Sequence, residues 1–200
     1  IGCSVPKIRT LCKQFHRRHP DLPRPILLTL VDELWNTRVH ELRSVGIGLL
    51  ANELPRLRAG DIDLVESMLL RANTWAHVDW LAVTVAGDLV RRFAGPRKRL
   101  ARWSKHEWMW LRRSSLLALL EDLRAGQGDF DAFERFAVPM LEDKDFFIRK
   151  AIGWVLREVA KKRPELTAQF VRDHGDRMSG LSKREALKHF SAAERERLMP

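Results

Sequence analysis

The sequence repeats itself with a period of roughly 35 residues. Segments of helical pattern carry, at corresponding positions, Arg43, Asp79, the doublet Arg112-Arg113, the doublet Arg149-Lys150 and the doublet Lys183-Arg184. The doublets leave the register open by one residue, but not the period. One antiparallel helical pair occupies a stretch of that length, so the expected fold is all-α: a HEAT-like solenoid in which every repeat turns one helix toward a shared concave surface. An irregular helical bundle is the alternative. Asp79 is the one acid in a column of cations, which makes it the candidate reaction centre of a basic groove.

Apolar residues recur at spacings of three and four along most of the chain, as in Ile148, Ala151, Ile152, Val155, Leu156 and Val159, and no alternating strand pattern occurs. Helices are predicted over 5–19, 23–35, 38–53, 62–71, 75–93, 98–105, 108–123, 130–142, 146–161, 164–174 and 183–190. Pro20, Pro23 and Pro25, then Ala59-Gly60-Asp61, Gly95-Pro96 and Gly126-Gln127-Gly128-Asp129 separate them, because Gly and Pro end helices and Asp caps the next. Nothing reads as a linker, so residues 1–200 are expected to form one domain. The chain opens at Ile1, not Met, which leaves room for a preceding segment that would complete the first helical pair.

A hydrophobic content of 45% with 31% charged residues is that of a globular protein. The formal charge of +10 is unusual, and such a field favours polyanions such as nucleic acid or anionic lipid. Between Arg91 and Arg113, nine arginines and lysines face the single acid Glu107, with Trp103, Trp108 and Trp110 among them. Cations with interleaved indoles suit phosphate and sugar, although phosphate contacts position a protein without reading bases. Cys3 and Cys12 cannot form a disulfide framework, which suits a cytoplasmic protein. The seven histidines are scattered and no CxxC or HExxH occurs, so no metal and no cofactor is expected; no apolar run is long enough for a membrane span.

Trp75 and Asp79 stand four apart and so share one helix face. An indole over a carboxylate excludes water and strengthens the local effect of the charge. The same spacing also fits a core Trp75 beside an Asp79 that pairs with an arginine of the next repeat. On the helix after Asp145, Phe147, Lys150, Trp154 and Arg157 share a second face, open to a nucleic-acid role or to packing against a neighbour. The acidic groups Asp122, Asp129, Asp131 and Asp143, Asp145 fall at helix ends and read as caps. There is no Gly-rich phosphate loop and no GxSxG elbow.

The strings Val5-Pro6-Lys7-Ile8-Arg9, Trp75-Ala76-His77-Val78-Asp79, Trp110-Leu111-Arg112-Arg113, the run from Asp145 to Arg157 and that from Leu181 to Lys188 together resemble the AlkD-like DNA alkylation repair glycosylases, a HEAT-like family. The resemblance implies a monofunctional glycosylase that excises N3- and N7-alkylated purines from duplex DNA as a monomer, without a base-flipping pocket. By motif match it implies Asp79 as the catalytic carboxylate, Trp75 and Trp154 as the aromatics around the lesion nucleotide, and Arg113 as the arginine near the reacting backbone. Arg43, Arg112, Arg149, Lys150, Arg157, Lys183 and Arg184 are the further DNA-binding candidates. His77 and Trp80 are larger than the family pattern leads one to expect. A catalytically silent DNA-binding relative and a scaffold for an acidic protein are the two alternatives in function.

Overall fold

The structure, a computed structural model, describes residues 2–199, and among them every regular element is helical. The chain divides into two compact units, residues 1–97 and 98–200. In the first, α1 (Val5–Arg18), α2 (Arg24–Asn36) and α3 (His40–Asn52) lead through two 3₁₀ turns to α4 (Ile62–Leu70). The chain then runs through α5 (Trp75–Trp80), a π-helical segment (Leu81–Ala86) and α6 (Gly87–Arg92) without a break. α3 packs against α1, α2 and α5, so Ile47, Leu50, Val31 and Trp35 lose all or nearly all contact with water. At roughly 1.5–3 kcal/mol per fully buried side chain of this kind, such contacts dominate what holds the pairs together.

α7 (Ala94–Trp103) spans the division. The second unit continues with α8 (Met109–Leu117), α9 (Leu120–Arg124), α10 (Phe130–Ala137), α11 (Phe146–Ala160), α12 (Pro164–His174), α13 (Gly180–Ala186) and α14 (Ala192–Leu198). α11 is its hub and packs on α8, α9, α12 and α13. Gly153 allows the approach to α13, since a Cβ there would lie 2.6 Å from Glu185 Cβ and 2.9 Å from the Ser182 carbonyl oxygen.

The period has a physical basis in side chains that reach one repeat along. Arg71 pairs with Asp32 (39 apart), Arg112 with Asp143 (31), Arg124 with Glu158 (34), Lys150 with Glu185 (35), and His174 with Glu134 (40).

Several expectations are corrected in detail. Gly95-Pro96 does not separate helices; it lies in the first turn of α7, where proline's missing N–H costs nothing. The stretch 108–123 is two helices, broken at Ala118-Leu119. Helix α14 was not expected, although Ser191 and Glu194 form a capping box at its start. Asp129 does cap α10 through the Ala132 N–H, whereas Asp143 and Asp145 bind Arg112 instead of helix N–H groups.

Candidate functional site

The helix starts settle the register of the repeated column. Arg43, Arg112 and Arg149 are each the fourth residue of their helix, and each donates a hydrogen bond to the carbonyl six residues earlier: Thr37 at 2.8 Å, His106 at 2.9 Å and Asp143 at 2.7 Å. They tie the entering loop to the first turn. The fifth residues are Ser44, Asp79, Arg113, Lys150 and Arg184. Asp79 therefore aligns with Ser44, not with Arg43, which stands one position earlier.

In the first unit, α5 begins with Thr74, whose hydroxyl accepts from the Ala76 N–H at 3.4 Å. The helix then presents Trp75, 54% exposed, and one turn later the half-buried Asp79. An exposed large indole beside a partly shielded carboxylate excludes the reading of Trp75 as core. Between them His77 points inward and is 1% exposed. Its Nε2 lies 3.1 Å from both the Ser44 hydroxyl and the His40 carbonyl oxygen, and its ring stacks on His40 with centroids 4.2 Å apart. Burial first, and then the nearby His40, pushes the His77 pKa down to about 4, so the ring is neutral at pH 7 and Nε2–H serves as the donor to His40. This anchor was not foreseen, because it depends on Ser44, one repeat earlier.

The π-helical segment begins two residues after Asp79. Such insertions occur often at functional sites, since the extra residue rotates the following face of the helix relative to the preceding one. Trp80, at this transition, is half-buried beneath the Arg9 guanidinium, 5.2 Å from the ring centroid. Gly48 leaves room for it; a Cβ there would meet the Trp80 ring at 3.3 Å and Cys12 Sγ at 2.6 Å.

In the second unit, Arg113 is 3% exposed and donates through Nη1 to the Phe147 carbonyl, with its guanidinium carbon 5.9 Å from the Phe147 ring centroid. Phe147 in turn lies against Trp110. Trp154 is half-buried on α11, one turn beyond Lys150 and one short of Arg157. Those two cations share a carboxylate: Glu185 of α13 accepts from Lys150 at 2.7 Å and pairs with Arg157. Arg112 is held by Asp143 at 3.0 Å. Lys183 is half-buried and Arg184 exposed on α13. Among the described residues no group of three or more His, Cys, Asp or Glu side chains could hold a metal ion, and no helix is long and apolar enough to cross a membrane.

Each unit is built of packed helices whose side chains pair with counterparts about one repeat away, an all-α helical-repeat architecture. Residues 1–190 match the family model described as DNA alkylation repair enzyme, and the chain belongs to that family. A predicted DNA alkylation repair enzyme from Enterococcus faecalis superposes with a TM-score of 0.83 at 22% identity, over 96% of this chain and 88% of that one. AlkD2 from Streptococcus mutans gives 0.69 at 15% identity, over 96% and 93%; smu.31 from Streptococcus mutans UA159 gives 0.67 at 16%, over 94% and 99%. At these identities the superpositions define the fold. No curated protein matches the chain.

Proposed function

We propose that the protein is a monofunctional DNA glycosylase that hydrolyses the N-glycosidic bond of N3- and N7-alkylated purines in duplex DNA. Asp79 is the catalytic carboxylate. The observation that carries this reading is the pairing of half-buried Asp79 with exposed Trp75, one turn apart on a helix whose start is fixed by Thr74 and His77. Membership of the alkylation repair family supports it.

Alkylation at N3 or N7 makes the purine a cation, so the glycosidic electron pair leaves with the base and neutralises it without a general acid. The sugar left behind is oxocarbenium-like, as in other glycosidic cleavages. Asp79 stabilises that positive charge and orients the water whose oxygen bonds to C1′; the water's proton passes through the carboxylate to solvent. Trp75 and Trp154 hold the deoxyribose and add cation–π attraction to the developing charge. Arg113 is the arginine that the family resemblance assigns to the phosphate beside the reacting sugar; here its buried guanidinium donates to the Phe147 carbonyl and braces α8 against α11, and in this reading the exposed cations bind flanking phosphates along a basic, HEAT-like concave surface. No side chain here needs a metal or cofactor. The products are a free alkylpurine and an abasic site, and the protein acts as a monomer in the compartment that holds the DNA.

The test is release of base from a duplex with one N7-methylguanine under single-turnover conditions. Asp79→Asn keeps the shape and removes the charge, and should slow release about 10²–10³-fold, the cost of losing one preorganised electrostatic group. Duplex affinity should survive. Salt-sensitive binding with no release by the native chain would instead make this a silent DNA-binding relative.

A further inference from the structure

In the first unit, an open hollow of about 220 Å³ lies over the second half of α3, between α1 and the run from Trp80 to Thr84. Gly48 and Ala51 line it with almost no side chain, which leaves the indole of Trp80 as its main apolar surface. Trp80 is larger than the family resemblance implies, and it is only half-buried. From α1 come two cations, Arg9 and Lys13. Arg9 is the fifth residue of α1, so it stands in the same column as Ser44 and Asp79; Lys13 and Gly48 follow one turn further along their helices.

The polar groups of the hollow are uncommitted. Arg9 and Lys13 are exposed and have no acid or hydrogen-bond partner among the described residues; Arg9 only rests its guanidinium carbon 5.2 Å from the Trp80 ring centroid. Asn52 donates through Nδ2 to the Gly48 carbonyl at 2.8 Å, which leaves its Oδ1 as an acceptor facing the hollow's other groups. A flat apolar face, two donor cations and an amide acceptor match a planar ring with acceptors and a donor on its edge, and nucleobases are such rings. A phosphate would leave the indole and the amide oxygen unused. The space is smaller than the roughly 300–1,000 Å³ clefts of drug-sized ligands.

Charge selects which base. When Asp79 holds the sugar of an alkylated purine, two bases lose their pairing: the alkylpurine and the pyrimidine opposite it. The alkylpurine is a cation, which Arg9 and Lys13 repel. The pyrimidine is neutral, and its O2 can accept from a cation. Trp80 directly follows Asp79 but is turned about 100° from it around the helix, so that its ring lies against Gly48. Packed helices stand about 8–10 Å apart, on the scale of a base pair's width. Resting on the glycosylase reading of Asp79, we infer that this hollow takes the pyrimidine left opposite the lesion. The ring stacks on the Trp80 indole, and Arg9, which nothing else holds, swings off the indole to cap the other face. Lys13 donates to O2, and Asn52 Oδ1 accepts from the amino group of cytosine. Captured there, the partner base cannot pair again with the lesion, and Trp80 acts as a positioning residue for excision.

The experiment measures affinity for two duplexes that carry a tetrahydrofuran abasic analogue, one with cytosine opposite it and one with a second abasic analogue opposite. The native chain should bind the cytosine duplex more tightly by about fivefold or more, the lower end for one base stacked on an aromatic side chain. Trp80→Leu removes the stacking face and Ala51→Leu fills the hollow with Trp80 in place; both should erase the preference, and circular dichroism melts check that the variants remain folded. Pyrrolocytosine in place of cytosine should change its emission on binding the native chain and not Trp80→Leu. The inference is overturned if the native chain binds both duplexes equally. It is also overturned if both folded variants keep the preference, whatever affinity they lose on the two duplexes alike, since the hollow would then serve the backbone or the fold. Failure to release N7-methylguanine with the preference intact is a different result, which would sink the glycosylase reading and leave the hollow's ligand standing.

Discussion

Acidification should loosen the start of α5 through His77 before it affects most of the chain. The ring is buried against Trp35, His40 and Ser44, and its pKa falls from 6.5 to about 4 because burial first, and then His40 and Arg43, disfavour the cation. In the unfolded chain the imidazole returns to about 6.5 and binds a proton that the folded form refuses. Stability from neutral His77 is thus fully present above about pH 6.5 and is lost as pH falls toward 4. A fall from 6.5 to about 4 corresponds to about 3 kcal/mol at 1.36 kcal/mol per pKa unit, a large share of the roughly 5–15 kcal/mol that holds a domain folded. Because two compact units need not unfold together, the assay should be local: hydrogen exchange of the α3 and α5 amides between pH 7 and 4, corrected for intrinsic rates. His77→Gln retains a donor for the His40 carbonyl but cannot titrate. The native protein should lose protection at α5 by up to about 3 kcal/mol relative to that variant's own profile. Parallel profiles would refute the account of His77 as a buried neutral donor.

Two further outcomes follow from α11 and α13. Gly153→Ala places a Cβ 2.6 Å from Glu185 Cβ and 2.9 Å from a backbone oxygen, so it should destabilise by about 1–3 kcal/mol in urea unfolding monitored in the second unit; an unchanged midpoint would mean that the helices separate at little cost. Glu185→Gln removes the carboxylate shared by Lys150 and Arg157. Duplex affinity should rise and its salt dependence steepen, because Lys150 becomes available to phosphates whereas Arg157 keeps Glu158 at 3.5 Å, while the melting temperature falls; weaker binding would show that Glu185 positions these cations for DNA.

The period and the all-helical architecture were legible because they rest on local facts: apolar spacing, Gly and Pro breaks, and residues that must meet their counterparts one repeat away. Trp75 and Asp79 were placed on one face for the same reason. Less legible was whatever depends on a partner in another repeat. His77 is an anchor only because Ser44 and the His40 carbonyl are waiting for it, and nothing in Trp-Ala-His-Val-Asp reveals that. Lys150 and Arg157 read as open cations until Glu185, on the next repeat, is seen between them. The π-helical turn was hidden for a different reason, since Leu-Ala-Val-Thr-Val-Ala is apolar enough to satisfy either helical register.

The helix starts also explain how an acid can occupy Asp79's position at all. α3, α8 and α11 have no side-chain N-cap, and in each the fourth residue is an arginine that ties the entering loop to the first turn. α5 and α13 have side-chain caps, Thr74 and Ser179, and lack that bond. In α5 the fourth residue is the buried Val78, and the task passes to Thr74 and to the contact of His77 with the His40 carbonyl. Arg43 helps from the previous repeat by donating to the Arg71 carbonyl in the loop that leads into α5. The loop is thus secured without a charged residue in the first turn of α5. Ser44, Arg113, Lys150 and Arg184 each spend the fifth position on bonding, burial or surface charge. In α5 the same position can take a carboxylate, next to an indole that packing does not require.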